Sequence, residues 1–447
     1  MYKICFKCRV ITPMFMSSTV KGEPELRPSE FKGMMRFWWR AIKADNDIKK
    51  LAKEEAEIFG SADKVIGKSK ILIRITNENL SYGNDLKQDL ENKYNCKWSF
   101  NLEKLIGNYR GIGYLFYSTV LKPPRRKYIK PGSVFIIEFL SQDKENLEKA
   151  IASFWASVYL GGFGTRARRG GGNITVIQVE NSKNLKIPEF ILKGNDFQKI
   201  ADWLIDNFKK VKKLITGTEN YPQNFVTDYS NLSFSRFIIS KDGKDKWFDT
   251  LNEVGKIFHD FRYDHRNQIF KSAAFGFPVR HKNGTVKSAE HNRRSSPLIF
   301  KVLEVDSKYY WMVLRLSGEF LPQGDVLKFN NQTQKPDYTL IDTFWKELSN
   351  KMLEKKIKHI LNYPSTLSKI INDIKEKLTP RRIVLFGSRA RGDAHKRADI
   401  DIAVDTDKNV AELKLNGPID IVDLKTASFS LKQQIEREGV TLYERKT

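Results

Sequence analysis

Leu160-Gly161-Gly162-Phe163-Gly164-Thr165-Arg166-Ala167-Arg168-Arg169-Gly170-Gly171-Gly172-Asn173 packs six glycines and three arginines into fourteen residues. Apolar runs flank it, Ala150 to Leu160 before and Ile174 to Val179 after. Glycine lets a backbone approach a neighbour closely and adopt positive φ. Successive N–H groups in such a loop form a concavity that accepts anions. Arg166, Arg168 and Arg169 add fixed charge and forked donors suited to phosphate. No Gly-Lys-Ser/Thr follows, so the stretch is not a P-loop. A solvated hairpin is the plainer alternative.

Outward from this loop the elements alternate. Tyr2 to Ile11 reads as a strand with Tyr2, Ile4, Phe6, Cys8 and Val10 on one face. Ser29 is placed to cap a helix that runs through Phe31 to Lys43. A helix over Ile48 to Ile58 and a strand over Lys70 to Thr76 follow. Val134 to Leu140 is a strand, Lys144 to Leu160 a helix and Ile174 to Val179 a strand. The order β-α-β, β-α-β is the ferredoxin-like pattern. The glycine loop then joins the second helix to the last strand, where RNA-recognition folds place their ligand. Lys32, Arg36, Arg40 and Lys43 fall within an arc of about 80° on the first helix, which calls for something negative nearby. Asn77 to Arg110 reads as a polar insertion and Gly111 to Leu121 as a strand. Lys122 to Lys130 is held extended by its prolines, with Arg125, Arg126 and Lys127 exposed and Tyr128 available to stack on a base.

The spacing Gly162-x-Gly164, five residues, Gly170-x-Gly172 resembles the glycine-rich loop of the RAMP superfamily, the ferredoxin-like RNA-binding subunits of CRISPR effector complexes. Ile11-Thr12-Pro13, the Phe31 to Lys43 helix and Glu57-Ile58-Phe59-Gly60-Ser61, in that order, resemble the family of first subunits of the Cmr, or type III-B, RAMP module. Ala273-Ala274-Phe275-Gly276-Phe277-Pro278-Val279 and Arg293-Arg294-Ser295-Ser296-Pro297-Leu298 resemble its second half. The resemblance implies an α+β protein with two ferredoxin-like (RRM-like) RAMP domains, over residues 1–181 and 182–362. It implies guide RNA, target RNA and other Cmr subunits as partners in antiviral defence, and no cofactor for this part. The RNA-binding candidates are Lys32, Arg36, Arg40, Lys43, Arg125, Arg126, Lys127, Tyr128, Gly162, Gly164, Arg166, Arg168, Arg169, Gly170, Gly172, Arg293 and Arg294.

The totals agree with a polyanion as partner. The net charge is +25, and the residues from Thr379 onward hold 13 Lys/Arg against 11 Asp/Glu, so the excess sits on the first 378 residues. Cys5, Cys8 and Cys96 are the three cysteines; one Cys-x-x-Cys without a second pair supports neither a zinc site nor a disulfide framework. No apolar run approaches membrane-spanning length and no signal peptide is visible, so a cytoplasmic protein is expected.

Ser182 to Phe225 reads as a mainly helical linker. Leu232 to Ile239, Ile299 to Val305 and Tyr309 to Leu316 read as strands and Lys246 to Arg262 as a helix. His259, Asp260, Asp264 and His265 lie on that helix at spacings that favour a structural role over a metal site. Pro322 to Asp337 reads as a linker, and helices are expected over Thr339 to His359 and Ser365 to Leu378.

A second chemistry lies at the C-terminus. The strand Arg382 to Phe386 leads into Gly387-Ser388-Arg389-Ala390-Arg391-Gly392, then Ala398-Asp399-Ile400-Asp401-Ile402-Ala403-Val404, then Gly417-Pro418-Ile419-Asp420-Ile421-Val422. Asp399 and Asp401 alternate along a strand and share a face. Adjacent carboxylates repel unless cations bridge them, as in two-metal phosphoryl transfer. The pattern resembles the minimal nucleotidyltransferase family and implies an α/β domain over residues 363–447. It implies Asp399, Asp401 and Asp420 as catalytic and metal-binding residues. It implies Gly387, Ser388 and Arg391 on the nucleotide, and Mg²⁺ with a nucleoside triphosphate as cofactors. Ala398 stands where that family has serine.

The sequence therefore points to an RNA-binding subunit of a type III-B effector fused to a nucleotidyltransferase. The alternatives are a transferase acting on RNA or protein hydroxyls, with the basic body presenting substrate, and a RAMP endoribonuclease. The first histidine is His259, so the first domain lacks the usual general base.

Overall fold

The computed structural model describes residues 1–17, 22–62, 67–101, 104–120, 125–181, 184–318, 321–322, 324–350, 358–392, 394–413, 415 and 417–445. Its first sheet contains β1 (Tyr2–Val10), β2 (Leu72–Asn79), β3 (Val134–Ser141) and β4 (Ile174–Glu180), ordered β2-β3-β1-β4 and antiparallel throughout. Central β1 buries Ile4, Phe6, Cys8 and Val10, as its alternation requires. Two helices cover that face. α1 (Pro28–Lys43) starts one residue before Ser29, because proline at the first helical position needs no N–H partner. It buries Phe31, Met35, Trp38, Trp39 and Ile42, each contributing about 1.5–3 kcal/mol by removal from water. α3 (Lys144–Tyr159) is capped by Asp143, which accepts from Asn146 N at 3.0 Å. Between α1 and β2 lies α2 (Ile48–Phe59). The segment expected as a linker supplies α4 (Phe197–Thr216), which packs Ile200, Leu204, Phe208 and Val211 against α1 and α3.

The second sheet repeats the same order. β5 (Asn231–Ile239), β6 (Leu298–Val305), β7 (Lys308–Ser317) and β8 (Lys358–Asn362) run β6-β7-β5-β8, all antiparallel. α5 (Trp247–Asp264) and α6 (Thr339–Asn350) are its crossovers. Three expectations fail here. The helix expected through His359 is described over Thr339–Asn350, residues 351–357 lie outside the described residues, and Lys358–Asn362 is instead the sheet's last strand. Pro322 to Asp337 is no mere linker: Leu327–Phe329 and Gln332–Gln334 join Val279–His281 and Gly284–Ser288 in a small sheet. Gly111 to Leu121, of which Leu121 lies outside the described residues, forms helices instead of a strand, Arg110–Leu115 and Tyr117–Val120. Its apolar residues pack against α5, with Gly111 pressed onto Asn252 and Gly255 and its N–H donating to Asn252 Oδ1 at 3.1 Å. One apolar cluster runs through both sheets, from Ile4 to Leu361.

The third sheet holds β9 (Arg382–Phe386), β10 (Ile400–Asp405), β11 (Ile419–Asp423) and β12 (Val440–Glu444), ordered β12-β9-β10-β11. β10 and β11 are parallel and the other pairs antiparallel. α7 (Ser365–Leu378), α8 (Gly387–Arg391) and α9 (Phe429–Glu438) complete it. Its main core includes Ile374, Ile383, Leu385, Ile402 and Val404, and it admits Phe234 from β5. Among the described residues no helix is long and apolar enough to cross a membrane.

Candidate nucleic-acid interface and nucleotidyltransferase site

The glycine-arginine loop joins α3 to β4, as its position between two apolar runs required, but it faces inward. Its amides are committed within the fold. Phe163 N donates to Gly172 O (3.0 Å), Thr165 N to Phe15 O (2.8 Å), Gly171 N to Arg166 O (3.1 Å) and Gly172 N to Pro13 O (2.9 Å). No open concavity of N–H groups remains at these positions. At Gly164 (φ +78°) an added Cβ would lie 2.6 Å from Phe15 O, and at Gly172 (φ +61°) it would overlap the Phe163 carbonyl. Gly162 and Gly170 are equally tight, against Gly171 O and Leu251.

The arginines reach into the second unit. Arg168 donates to Ser296 O and stacks over Phe37. Arg169 donates to Ser296 Oγ, Leu298 O and Phe275 O at 3.3–3.4 Å, between the rings of Phe258 and Phe300. Burial pulls Arg168 down to about 10 and Arg169 to about 9, so both stay charged at neutral pH. Arg166 (φ +67°) keeps a buried Nε without a partner. Lys301, fully buried on β6, donates to Gly161 O at 2.7 Å, and Val302 N donates to Asn173 Oδ1 at 2.8 Å. The stretch expected to cradle RNA is the seam between the two body units.

The cationic face of α1 is also partnered. Arg36 and Arg40 both grip Glu55 of α2, Lys43 pairs with Glu54 at 2.8 Å, and Lys32 donates to Ile71 O at 3.3 Å. The negative charge this face calls for comes from within the fold, because α2 folds back alongside α1. Tyr128 is buried and donates to Asp89 Oδ2 at 2.6 Å, so it does not offer its ring to a base. Arg125 pairs with Asp85, Lys127 with Glu23, and exposed Arg126 donates to Thr165 Oγ1 at 2.9 Å; Lys122, Pro123 and Pro124 lie outside the described residues. Arg293 is exposed, whereas Arg294 is half-buried and donates to Tyr338 OH at 3.2 Å. His259 pairs with Asp260, which also holds Arg110 at 2.7 Å.

The C-terminal carboxylates do converge. Parallel pairing sets Asp401 opposite Asp420, and antiparallel pairing sets it opposite Phe386, where β9 ends. Asp399 lies two residues before Asp401, on the same face. The chain then turns at Gly387 (φ +68°) directly over Asp401, where any Cβ would overlap the Asp401 carboxylate. Burial, then Asp420 and Asp399, raise the Asp401 carboxyl above its usual range. Arg391 opposes that rise without cancelling it. Asp399 and Asp420 are exposed and Ser388 is half-buried. Among the described residues no group of three His, Cys, Asp or Glu side chains is placed to hold a metal ion by itself. Magnesium is ordinarily held by one or two carboxylates together with substrate phosphates, and this open set suits that chemistry.

Two further residues shape this site. Glu438, at the end of α9, accepts from Gly387 N at 3.2 Å and pairs with Arg391 at 3.0 Å. Arg391, expected on the nucleotide, is thus held by a carboxylate beside the turn. Glu438 belongs to no motif, since it closes an ordinary helix. Arg389 donates to the carbonyl of Ala398 at 2.6 Å, tying the turn to the start of β10.

A model of the RAMP superfamily matches residues 7–175, and one described as polymerase beta, nucleotidyltransferase matches residues 368–447. The chain is 33% identical over 190 residues to CRISPR system Cmr subunit Cmr1-2 of Pyrococcus furiosus, covering 39% of this chain and 96% of that protein. Its C-terminal part is 35% identical over 88 residues to protein adenylyltransferase MntA of Shewanella oneidensis, covering 17% of this chain and 63% of that protein. The crystal structure of Cmr1 from Pyrococcus furiosus in its apo form superposes with a TM-score of 0.54 at 21% identity, covering 82% of this chain and 100% of that one. At that identity the likeness is one of fold.

Proposed function

The chain belongs to the Cmr1 family of CRISPR Cmr subunits and carries a nucleotidyltransferase domain, and from that premise we infer that it is an RNA-binding subunit of a type III-B effector that also transfers nucleotides. The body is two ferredoxin-like domains, 1–181 and 182–362, supported by the identical strand order of their sheets. The transferase occupies 363–447. Guide RNA, target RNA and other Cmr subunits are its partners. The excess positive charge supports the RNA reading, with contact moved to cations that keep exposure, Arg126, Lys127 and Arg293.

One observation carries the transferase reading: Asp401 and Asp420 stand side by side in parallel register beneath a turn that only glycine can make. Magnesium, when bound, supplies Lewis-acid stabilisation of the triphosphate. Asp399 and Asp401 would hold it. Asp420 would hold it on the acceptor side and help take the proton from the attacking hydroxyl. Gly387 and Ser388 hold the departing pyrophosphate. Arg391 fixes Glu438, and Glu438 fixes the Gly387 amide. The test is incorporation of label from α-³²P nucleotides into RNA or a protein acceptor, with Mg²⁺. No incorporation, together with no Mg²⁺-dependent nucleotide binding, means that the domain is structural.

A further inference from the structure

α8 is five residues long, too short to satisfy its own ends. The last four carbonyls of any helix lack internal partners; here Ser388 O accepts from Gly392 N at 2.9 Å, and the last two carbonyls take donors from another sheet. Arg236 on β5 donates to Ala390 O at 3.1 Å, and Arg315 on β7 donates to Arg391 O. The two arginines are directly opposite in the β5/β7 register. Both are more than nine-tenths buried and share one carboxylate, Asp342 of α6, at 4.0 and 2.7 Å. Two cations against one anion leave a buried positive excess, which costs stability unless acceptors offset it. The carbonyls of α8 are those acceptors. The indole of Trp345 lies beneath Arg236 and fixes its plane.

The contacts continue past the helix. Arg391 uses its backbone to accept from Arg315 and its side chain to hold Glu438. Glu438 in turn accepts from the amide of Gly387, which lies on Asp401. On its other flank, Arg389 stacks over Phe225 of the body at 4.9 Å. A polar path therefore runs from Asp342 through Arg315, Arg391 and Glu438 to Gly387.

We propose that Arg236 and Arg315 are positioning residues of the nucleotidyltransferase, so that the second RAMP unit is a structural part of the nucleotide-binding turn. The proposal rests on the transferase reading above. A transferase fused by a free linker would work at the same rate in isolation; this one is set by the sheet on which the body is built.

The experiment uses the full chain. In Arg236→Met/Arg315→Met/Asp342→Leu the whole charged cluster is replaced, so no ion is left buried alone. Arg315→Lys keeps the charge and loses the fork, and it serves where the triple variant does not fold. Unaltered RNA affinity and thermal midpoint certify the fold. The expected result is amide exchange at residues 387–391 at least tenfold faster, with nucleotide KM raised at least fivefold and kcat changed less. Arg315→Lys should show the same pattern at smaller size. Unchanged exchange and unchanged KM in folded variants overturn the proposal. A wild-type chain that binds no nucleotide sinks the transferase reading and this proposal together, so the two failures are distinguishable.

Discussion

Two turns of this chain combine glycine with arginine at the end of an apolar run, and they do opposite things. Around Gly162 to Gly172 the amides bond inward and the arginines bury themselves against Ser296, Leu298 and Phe300. Around Gly387 the backbone rides over Asp401, and Asp399 and Asp420 remain exposed. Glycine in both cases marks a close approach of backbone to something. What it approaches differs: a carbonyl of the same fold in the first, a carboxylate cluster in the second. Carboxylates left open to solvent beside a turn suit a cation carried in on phosphate, whereas Arg168 and Arg169 already have carbonyl partners within the fold.

That contrast breaks first at Asp401. Asp401→Ala should reduce nucleotide transfer by about three orders of magnitude or more, since a metal-holding carboxylate stabilises the transition state by several kcal/mol. RNA affinity should not change. Transfer surviving within tenfold, read from label incorporation, would remove the distinction between the turns.

The seam predicts a stability effect instead. Arg169→Ala leaves Ser296, Leu298 and Phe275 without their donor and two rings without their cation. A loss of roughly 3 kcal/mol in urea unfolding is expected, with no change in the salt slope of RNA binding. A flattened slope in a stable variant would return the loop to the RNA.

Lys301 sharpens the same seam by pH. Burial lowers it to about 7, against about 10.4 in an unfolded chain. Between these values the unfolded chain holds a proton that the folded chain does not, so stability gained from this group rises with pH across that window and is flat below it. Relative to Lys301→Met, the wild-type chain should gain on the order of 1 kcal/mol per pH unit from pH 7 to 10. Parallel curves for the two chains would place this amine in water.

The smallest effect belongs to the surface. Arg126→Ala with Arg293→Ala should weaken RNA binding and lower its salt slope by about one per lost phosphate contact, leaving stability unchanged. An unaltered slope would move the RNA to another face.

Much of this molecule was legible from residue order. Alternation in Tyr2 to Val10 and the apolar face of Phe31 to Ile42 are local properties, and they placed the first sheet and its helix. Asp399, Asp401 and Asp420 were legible because strand alternation and one register fix their meeting. Partners distant in the chain were not. Glu55 meets Arg36 and Arg40 only after α2 folds back, and Ser296 meets Arg168 from 128 residues away. Lys358–Asn362 offers too few residues to show a strand period, and its pairing with β5 decides it. Gly111 to Val120 has strand-like composition, yet contact with Asn252 and Gly255 makes it helical.

The seam also sets a schedule for synthesis. Asn173 leaves the ribosome 129 residues before Val302, the residue whose amide it receives. At roughly 5–20 residues per second that interval is about 6–26 s. For most of it the nascent chain carries Arg168 without the carbonyl of Ser296 and Gly161 without the lysine that meets its carbonyl. A chain stopped at residue 181 would leave Arg168 without the carbonyl of Ser296 and Asn173 without the amide of Val302 permanently.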